Sequence, residues 1–224
     1  MLKRFHKGIY ACSRCGICRA KYTETVRYVC PVREHTGGFE HYFGRGRVQI
    51  ARGIIEEELT YSDALAEVAS TCLLCGNCRE QCGSFDLKTG NPLVDPAAIN
   101  RALRTELFRA GMAIDAHKML ASRIEKDKNS CGGITGERRK WADGLNLATE
   151  GEVMLFTGCM SSYRKAFGQR ETTRAVAKIL KMAGVNSLGA LDDEWCCGLP
   201  LLEIGVREMG RWKKQSSRYC LENV

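Results

Sequence analysis

Cys12-Ser-Arg-Cys15-Gly-Ile-Cys18 and Cys72-Leu-Leu-Cys75-Gly-Asn-Cys78 are one pattern written twice. A thiolate at every third residue, three times running, suits a cubane iron–sulfur cluster, because a short loop can curl around one corner of the cube and offer three ligands. A structural zinc site favours two separated C-x-x-C pairs, and a third cysteine at the same step has no place around one tetrahedral ion. A disulfide framework needs an oxidising compartment. The opening Met1-Leu-Lys-Arg-Phe-His-Lys7 carries charge but no apolar stretch after it, unlike a secretory signal.

Each triplet is followed by a fourth cysteine, Cys30 for the first and Cys82 for the second. In two-cluster ferredoxins the fourth ligand comes from the other motif. On that plan Cys12, Cys15, Cys18 and Cys82 hold one 4Fe-4S cluster, and Cys72, Cys75, Cys78 and Cys30 hold the other. The first motif departs in spacing, with eleven residues between Cys18 and Cys30, but keeps the expected proline at Pro31. The second keeps the spacing, with three residues between Cys78 and Cys82, and has Gly83 where proline is usual.

Thirteen cysteines in 224 residues are explained by metal ligation without disulfides, which points to a reducing, cytoplasmic setting. The longest clean apolar run, Val153-Met-Leu-Phe156, is strand-sized, so no transmembrane segment is expected. Residues 1–53 carry 11 Lys/Arg against 3 Asp/Glu, the whole of the net +8. A surplus of this kind can serve nucleic acid. Here it is read as compensation for cubanes, which carry about −2 each with four thiolates. No nucleic-acid partner is expected.

The remaining signals place short helices around the cysteine loops. Thr36–Arg47 is rich in glycine and aromatics and holds Arg45 and Arg47; it reads as a phosphate cradle or, preferably, a turn entering a helix at Val48–Glu58, with its arginines facing a cluster or partner. His35 and His41 lie in this stretch and are assigned to no metal. Ser62 is a good N-cap for a helix into Cys72, and Asp95-Pro96 opens another that Gly111 can close. Residues 126–151 read as a linker, with Cys131 a bystander thiol and Glu137-Arg-Arg-Lys-Trp141 docking on the next domain. Then come a strand at Val153–Phe156, a long helix with Ala175, Val176, Ile179, Leu180 and Ala183 inward, an extended stretch at Val185–Leu191, and a mostly helical tail from Leu201.

The stretch Thr157-Gly-Cys159, then 35 residues, then Trp195-Cys-Cys-Gly-Leu-Pro200 resembles the CCG cysteine-rich domain of the heterodisulfide reductase family. The double ferredoxin motif is fused ahead of it as in that family's catalytic subunits. The arrangement is also similar to iron–sulfur subunits of glycolate and glycerol-3-phosphate dehydrogenases. The resemblance implies that Cys159, Cys196 and Cys197 match the first three ligands of a noncubane 4Fe-4S cluster that splits disulfides. The family's downstream C-x-x-C and second CCG repeat have no counterpart; the only later cysteine is Cys220. The stretch therefore reads as the first half of such a domain, completed by another chain or by further sequence.

The expected fold class is α+β: an α-helical ferredoxin domain with two 4Fe-4S motifs at 1–125, the linker, and an incomplete α/β CCG-type domain at 152–224. The first functional expectation is an oxidoreductase subunit relaying electrons through two clusters toward a CCG site. The second is an electron-transfer subunit of a flavin-dependent dehydrogenase with no substrate site of its own. A third is a CCG half that only docks partners, or whose cysteines only pack a core. No nicotinamide or flavin fingerprint is present. Partners expected are redox subunits: a chain completing the CCG domain and a flavoprotein, hydrogenase or cytochrome donor. Peripheral attachment at the inner face of a membrane would come through a partner.

Overall fold

The computed structural model describes residues 1–20, 28–163 and 168–206. The chain divides into two compact units, one of residues 1–117 with 202–206 and one of residues 118–201.

The first unit is built of helices. In chain order they are α1 (His6–Tyr10), α2 (Pro31–Glu34), α3 (Gly44–Ile55), α4 (Asp63–Ser70), α5 (Asn77–Glu80) and α6 (Pro96–Arg109). Its core forms where α1, α3, α4 and α6 turn apolar faces inward, with Ile9, Val48, Ala51, Ala66, Ile99 and Leu103 buried together. The helix starts follow local chemistry. Ser62 Oγ accepts the Leu65 amide at 3.3 Å to open α4. Asp95 Oδ1 accepts the Ala98 amide at 2.9 Å, with Pro96 in the first turn of α6. Gly111, at φ 74°, closes α6 as its amide and that of Met112 return to Phe108 and Leu107.

Helix α3 begins four residues before the expected Val48 and ends three before Glu58. Gly44 and Gly46 belong to the helix rather than to a turn before it. A side chain at Gly46 would collide with the Glu40 carbonyl. One at Gly44 would meet the Cβ atoms of Cys18, Cys78 and Pro96, each at 3.2 Å. Close approach, not chain reversal, is what these glycines allow.

The second unit takes in most of α7 (Asp115–Asp127), then β1 (Val153–Leu155), α8 (Gly158–Tyr163), α9 (Gln169–Met182), β2 (Leu188–Ala190) and the start of α10 (Leu199–Glu203). The strands pair in parallel with Val153 opposite Leu188 and Leu155 opposite Ala190, and α9 lies in the connection between them. Residues 126–151 are not a free tether. Trp141, Ala142 and Leu145 lie in the core with Ala177, Leu188 and Ala190.

The inward face of α9 differs from the expected one. Ala177 and Leu180 pack inward, whereas Val176 is 42 % and Ile179 62 % exposed. The helix is turned by its cations. Arg174 Nη1 donates to the carbonyls of Trp141 (2.6 Å) and Asp143 (2.9 Å), and Lys181 Nζ donates to those of Leu145 (2.5 Å) and Asn146 (3.1 Å). Residues 174, 177 and 181 share one helical face, so satisfying those carbonyls brings Ala177 in and rolls Val176 and Ile179 out. Of the expected helical tail, Leu199–Glu203 is helix; from residue 207, Cys220 included, the tail lies outside the described residues.

Candidate metal centres

The two cysteine triplets share a backbone as well as a sequence. The second residue after the first cysteine has positive φ in both, Arg14 at 58° and Leu74 at 54°. The glycine after the second cysteine does too, Gly16 at 81° and Gly76 at 79°. Alternating right- and left-handed residues turn successive amides to one side, the concavity that suits an anionic cluster. The amides do reach sulfur. Arg45 N lies 3.1 Å from Cys18 Sγ, Leu74 N 3.4 Å from Cys72 Sγ, and Ser84 N 3.4 Å from Cys82 Sγ.

Two cavities open beneath these loops. One, of about 330 Å³ including the part open to solvent, is lined by Cys12, Cys15, Cys18 and Cys82, with Gly83, Ser84, Arg14 and Arg45. The other, of about 390 Å³ on the same measure, is lined by Cys72, Cys75, Cys78 and Cys30, with Pro31 and Arg47. Cys78 also reaches the wall of the first, and Gly44 and Pro96 line both. Hydrogen bonds tie each triplet to the segment bearing its distant cysteine. Ser84 Oγ lies 3.0 Å from Ser13 Oγ and accepts the Ser13 amide at 3.3 Å. Asn77 Nδ2 donates to the Val29 carbonyl at 2.7 Å, next to Cys30.

The four thiols of each expected set line one cavity, the ligand set of a cubane, and the residues present fit that group. Among the described residues no three His, Cys, Asp or Glu close on a single ion. Burial pushes Cys18 and Cys78 up to about 12, and raises Cys82 as well. Burial acts the same way on Cys15, but the amides of Ile17 and Gly83 and the Ser13 hydroxyl outweigh it and hold that thiol below its ordinary value. The deep thiols therefore hold their protons at neutral pH in the metal-free chain, and a cluster bound there would displace them. A Cβ at Gly83 would lie 2.9 Å from Ile17 Cδ1 and 3.2 Å from Cys15 Sγ, so a larger residue there has to displace the Ile17 side chain.

A third group of cysteines lies in the second unit. Cys159 and Cys196 are buried and Cys197 is half-buried. The Cys196 thiol interacts with both others. Hydrogen bonding to Cys196 draws Cys159 down to about 5 against the effect of burial, with help from the Ser130 amide and Arg138. Cys197 is drawn down to about 6 in the same way, and Cys196 itself is raised. Beneath the cysteines is an ion pair, Arg138 with Glu194, 2 % and 3 % exposed and 2.5 Å apart. Glu194 accepts the amides of Thr157 (2.9 Å) and Gly158 (2.8 Å). Arg138 donates to the Trp195 carbonyl (3.2 Å) and lies 3.9 Å from Cys159 Sγ. One pair thus joins the segment at 138, the turn before Cys159 and the turn before Cys196. Cys131 neighbours the site: Asn129 Oδ1 accepts the amides of Cys131 and Gly133, and the adjacent Ser130 amide faces Cys159.

Residues 8–85 match the family described as a 4Fe-4S dicluster domain, and residues 153–219 match the CCG cysteine-rich domain. The D subunit of the dihydromethanophenazine:CoB–CoM heterodisulfide reductase of Methanosarcina mazei is 25 % identical over 153 residues, 67 % of this chain and 34 % of that protein. Its counterpart in Methanosarcina acetivorans is 23 % identical over 155 residues, 68 % of this chain and 35 % of the relative. That of Methanosarcina barkeri is 21 % identical over 228 residues, 95 % of this chain and 51 % of the relative. The chain is related to the D subunit of heterodisulfide reductase. It spans about a third to a half of the length of these relatives. No solved structure matches.

This relationship favours the heterodisulfide reductase expectation over the flavin-dependent dehydrogenase one. No helix of the described residues is long and apolar enough to cross a membrane. Within the cysteine-rich domain, sequence reasoning does not single out Arg138 and Glu194. Their only signals are the position of Glu194 two residues before Cys196 and the basic run Arg138-Arg-Lys140.

Proposed function

We propose that the dicluster domain relays single electrons between two 4Fe-4S clusters, one on Cys12, Cys15, Cys18 and Cys82 and the other on Cys72, Cys75, Cys78 and Cys30. The observation that carries this is the crossing: each triplet's cavity is lined by the distant cysteine of the other motif. When bound, such clusters store one electron each at a potential set by nearby charge and hydrogen bonds. The chain's own residues exclude solvent from the deep thiols, supply amides to the sulfurs and fix the two cavities on either side of Gly44.

The electrons go to the cysteine-rich domain, where Cys159, Cys196 and Cys197 provide three thiolates toward a noncubane 4Fe-4S cluster. Further sequence or a partner chain supplies the remaining ligand. The reaction is reduction of a disulfide, in which two electrons and two protons turn one S–S bond into two thiols. The electrons come from a low-potential redox partner, a flavoprotein, hydrogenase or cytochrome. The similarity to the D subunit of heterodisulfide reductase supports this reading.

Iron and acid-labile sulfide per chain, measured on anaerobically purified protein, test it. EPR is recorded after reduction and after thiol oxidation. About eight irons with two interacting cubane signals is the result expected of the relay. About twelve, with a new signal under oxidising thiols, places a complete third cluster in this chain alone. Fewer than about four irons after anaerobic reconstitution overturns the relay.

A further inference from the structure

The stretch Gly44-Arg45-Gly46-Arg47 sends its two arginines to different cavities. Arg45 lines that of Cys12, Cys15, Cys18 and Cys82; Arg47 lines the other. Their surroundings differ more than their positions. The Arg45 side chain is 29 % exposed, pairs with the Glu40 carboxylate and donates to the Arg14 carbonyl at 2.8 Å. Arg47 is 2 % exposed and donates to Thr71 Oγ1 at 2.9 Å; among the described residues it pairs with no carboxylate, and its Nε has no hydrogen-bond partner. A second buried arginine stands behind the same loop. Arg104 donates to the carbonyls of Ser70 (3.0 Å) and Cys72 (2.5 Å) at the start of the second triplet. Its other bonds go to the carbonyls of Ala69 and Glu203, while the Glu203 carboxylate pairs with Arg101.

We propose that the cavity of Cys72, Cys75, Cys78 and Cys30 holds the cluster of higher potential, and that Arg47, with Arg104 behind it, makes it so. Reduction adds one negative charge to a cluster, and a buried, unpaired cation stabilises that charge with little screening. Arg45 is neutralised by Glu40, and Arg14, which also lines the first cavity, is exposed to solvent, so both do much less. Each cavity has one exposed cysteine at its mouth, Cys15 and Cys75, but Cys30 in the second is buried where Cys82 in the first is half-buried, so a charge in the second cavity is screened less. The first cavity does have more amide donors on its sulfurs. Those are partial charges, and two full buried charges outweigh them. An electron entering the dicluster domain therefore comes to rest beside Arg47. This inference rests on the reading that both cavities carry 4Fe-4S clusters.

A potentiometric titration of the full, anaerobically purified chain, followed by EPR, tests it. Two one-electron waves are expected. Arg47→Gln lowers the upper wave so that, at its wild-type midpoint, the reduced-to-oxidised ratio falls about tenfold, a shift of about 59 mV. Arg47→Lys keeps most of the wild-type value, and Arg45→Gln leaves the upper wave in place. Cys30→Ser and Cys82→Ser assign the waves independently of any arginine: the first must alter the upper wave and the second the lower. If Cys30→Ser alters the lower wave instead, or if Arg47→Gln keeps both clusters and moves neither, the inference is overturned. Iron near zero with no cubane signal in the wild type overturns instead the reading of the cavities themselves.

Discussion

Gly44 shows what one missing side chain accomplishes. It is the first residue of α3 and lines both cavities. Its absent Cβ is what lets Cys18 and Cys78 approach from opposite sides. At 3.2 Å a single methyl would force small shifts, but a branched side chain has no room. Gly44→Val should therefore cost about 1–3 kcal/mol by overpacking and weaken both clusters together. Iron analysis after anaerobic reconstitution should show loss of both cubanes, while Gly136→Ala, at an open position in the second unit, leaves iron unchanged. Loss of one cluster only would mean that Gly44 is not the shared wall. This role is not legible in the sequence, where a Gly-Arg-Gly-Arg run looks like a turn. The cysteines are legible because ligand spacing is local, whereas a shared wall is a property of three segments meeting.

At the scale of elements, the cysteine loops and the helix caps follow from sequence because each depends on residues within four positions. Ser62, Asp95 and Gly111 do at their helix ends what their chemistry dictates. The face of α9 does not follow, because Arg174 and Lys181 answer carbonyls more than 30 residues away. Cluster pairing lies between these cases: the motif suggests it, and the hydrogen bonds from Ser84 to Ser13 and from Asn77 to Val29 provide a physical basis. It can be tested by pairs of substitutions. If Cys12 and Cys82 serve one cluster, Cys12→Ser/Cys82→Ser removes that cluster and leaves about four irons. Cys12→Ser/Cys30→Ser then strikes both clusters and leaves close to none. Uncrossed loops would give the reverse order, so the iron contents of the two double variants decide between them.

At the scale of the whole molecule, the two units draw their stability from different sources. The first surrounds two thiol-lined cavities, and clusters held there would bind only the folded chain, so stripping iron should destabilise it. The second unit's cysteine site is organised by the buried Arg138–Glu194 pair, whose carboxylate also accepts the amides of Thr157 and Gly158 and whose guanidinium also donates to the Trp195 carbonyl. Breaking such a pair from one side leaves an uncompensated buried charge and costs about 3–5 kcal/mol, while replacing both partners by apolar groups costs much less. Trp141 and Trp195 lie in the second unit, so in a Trp212→Phe background the fluorescence reports on it, while far-UV circular dichroism is weighted toward the helices of the first. In the iron-free chain the dichroism transition should come at lower denaturant than the fluorescence transition. Arg138→Met should bring the fluorescence transition below the dichroism one, and Arg138→Met/Glu194→Leu should restore most of the difference. Coincident transitions in every variant would mean that the chain unfolds as one cooperative body. A double variant as unstable as Arg138→Met would mean that the pair contributes attraction beyond the cost of its own burial.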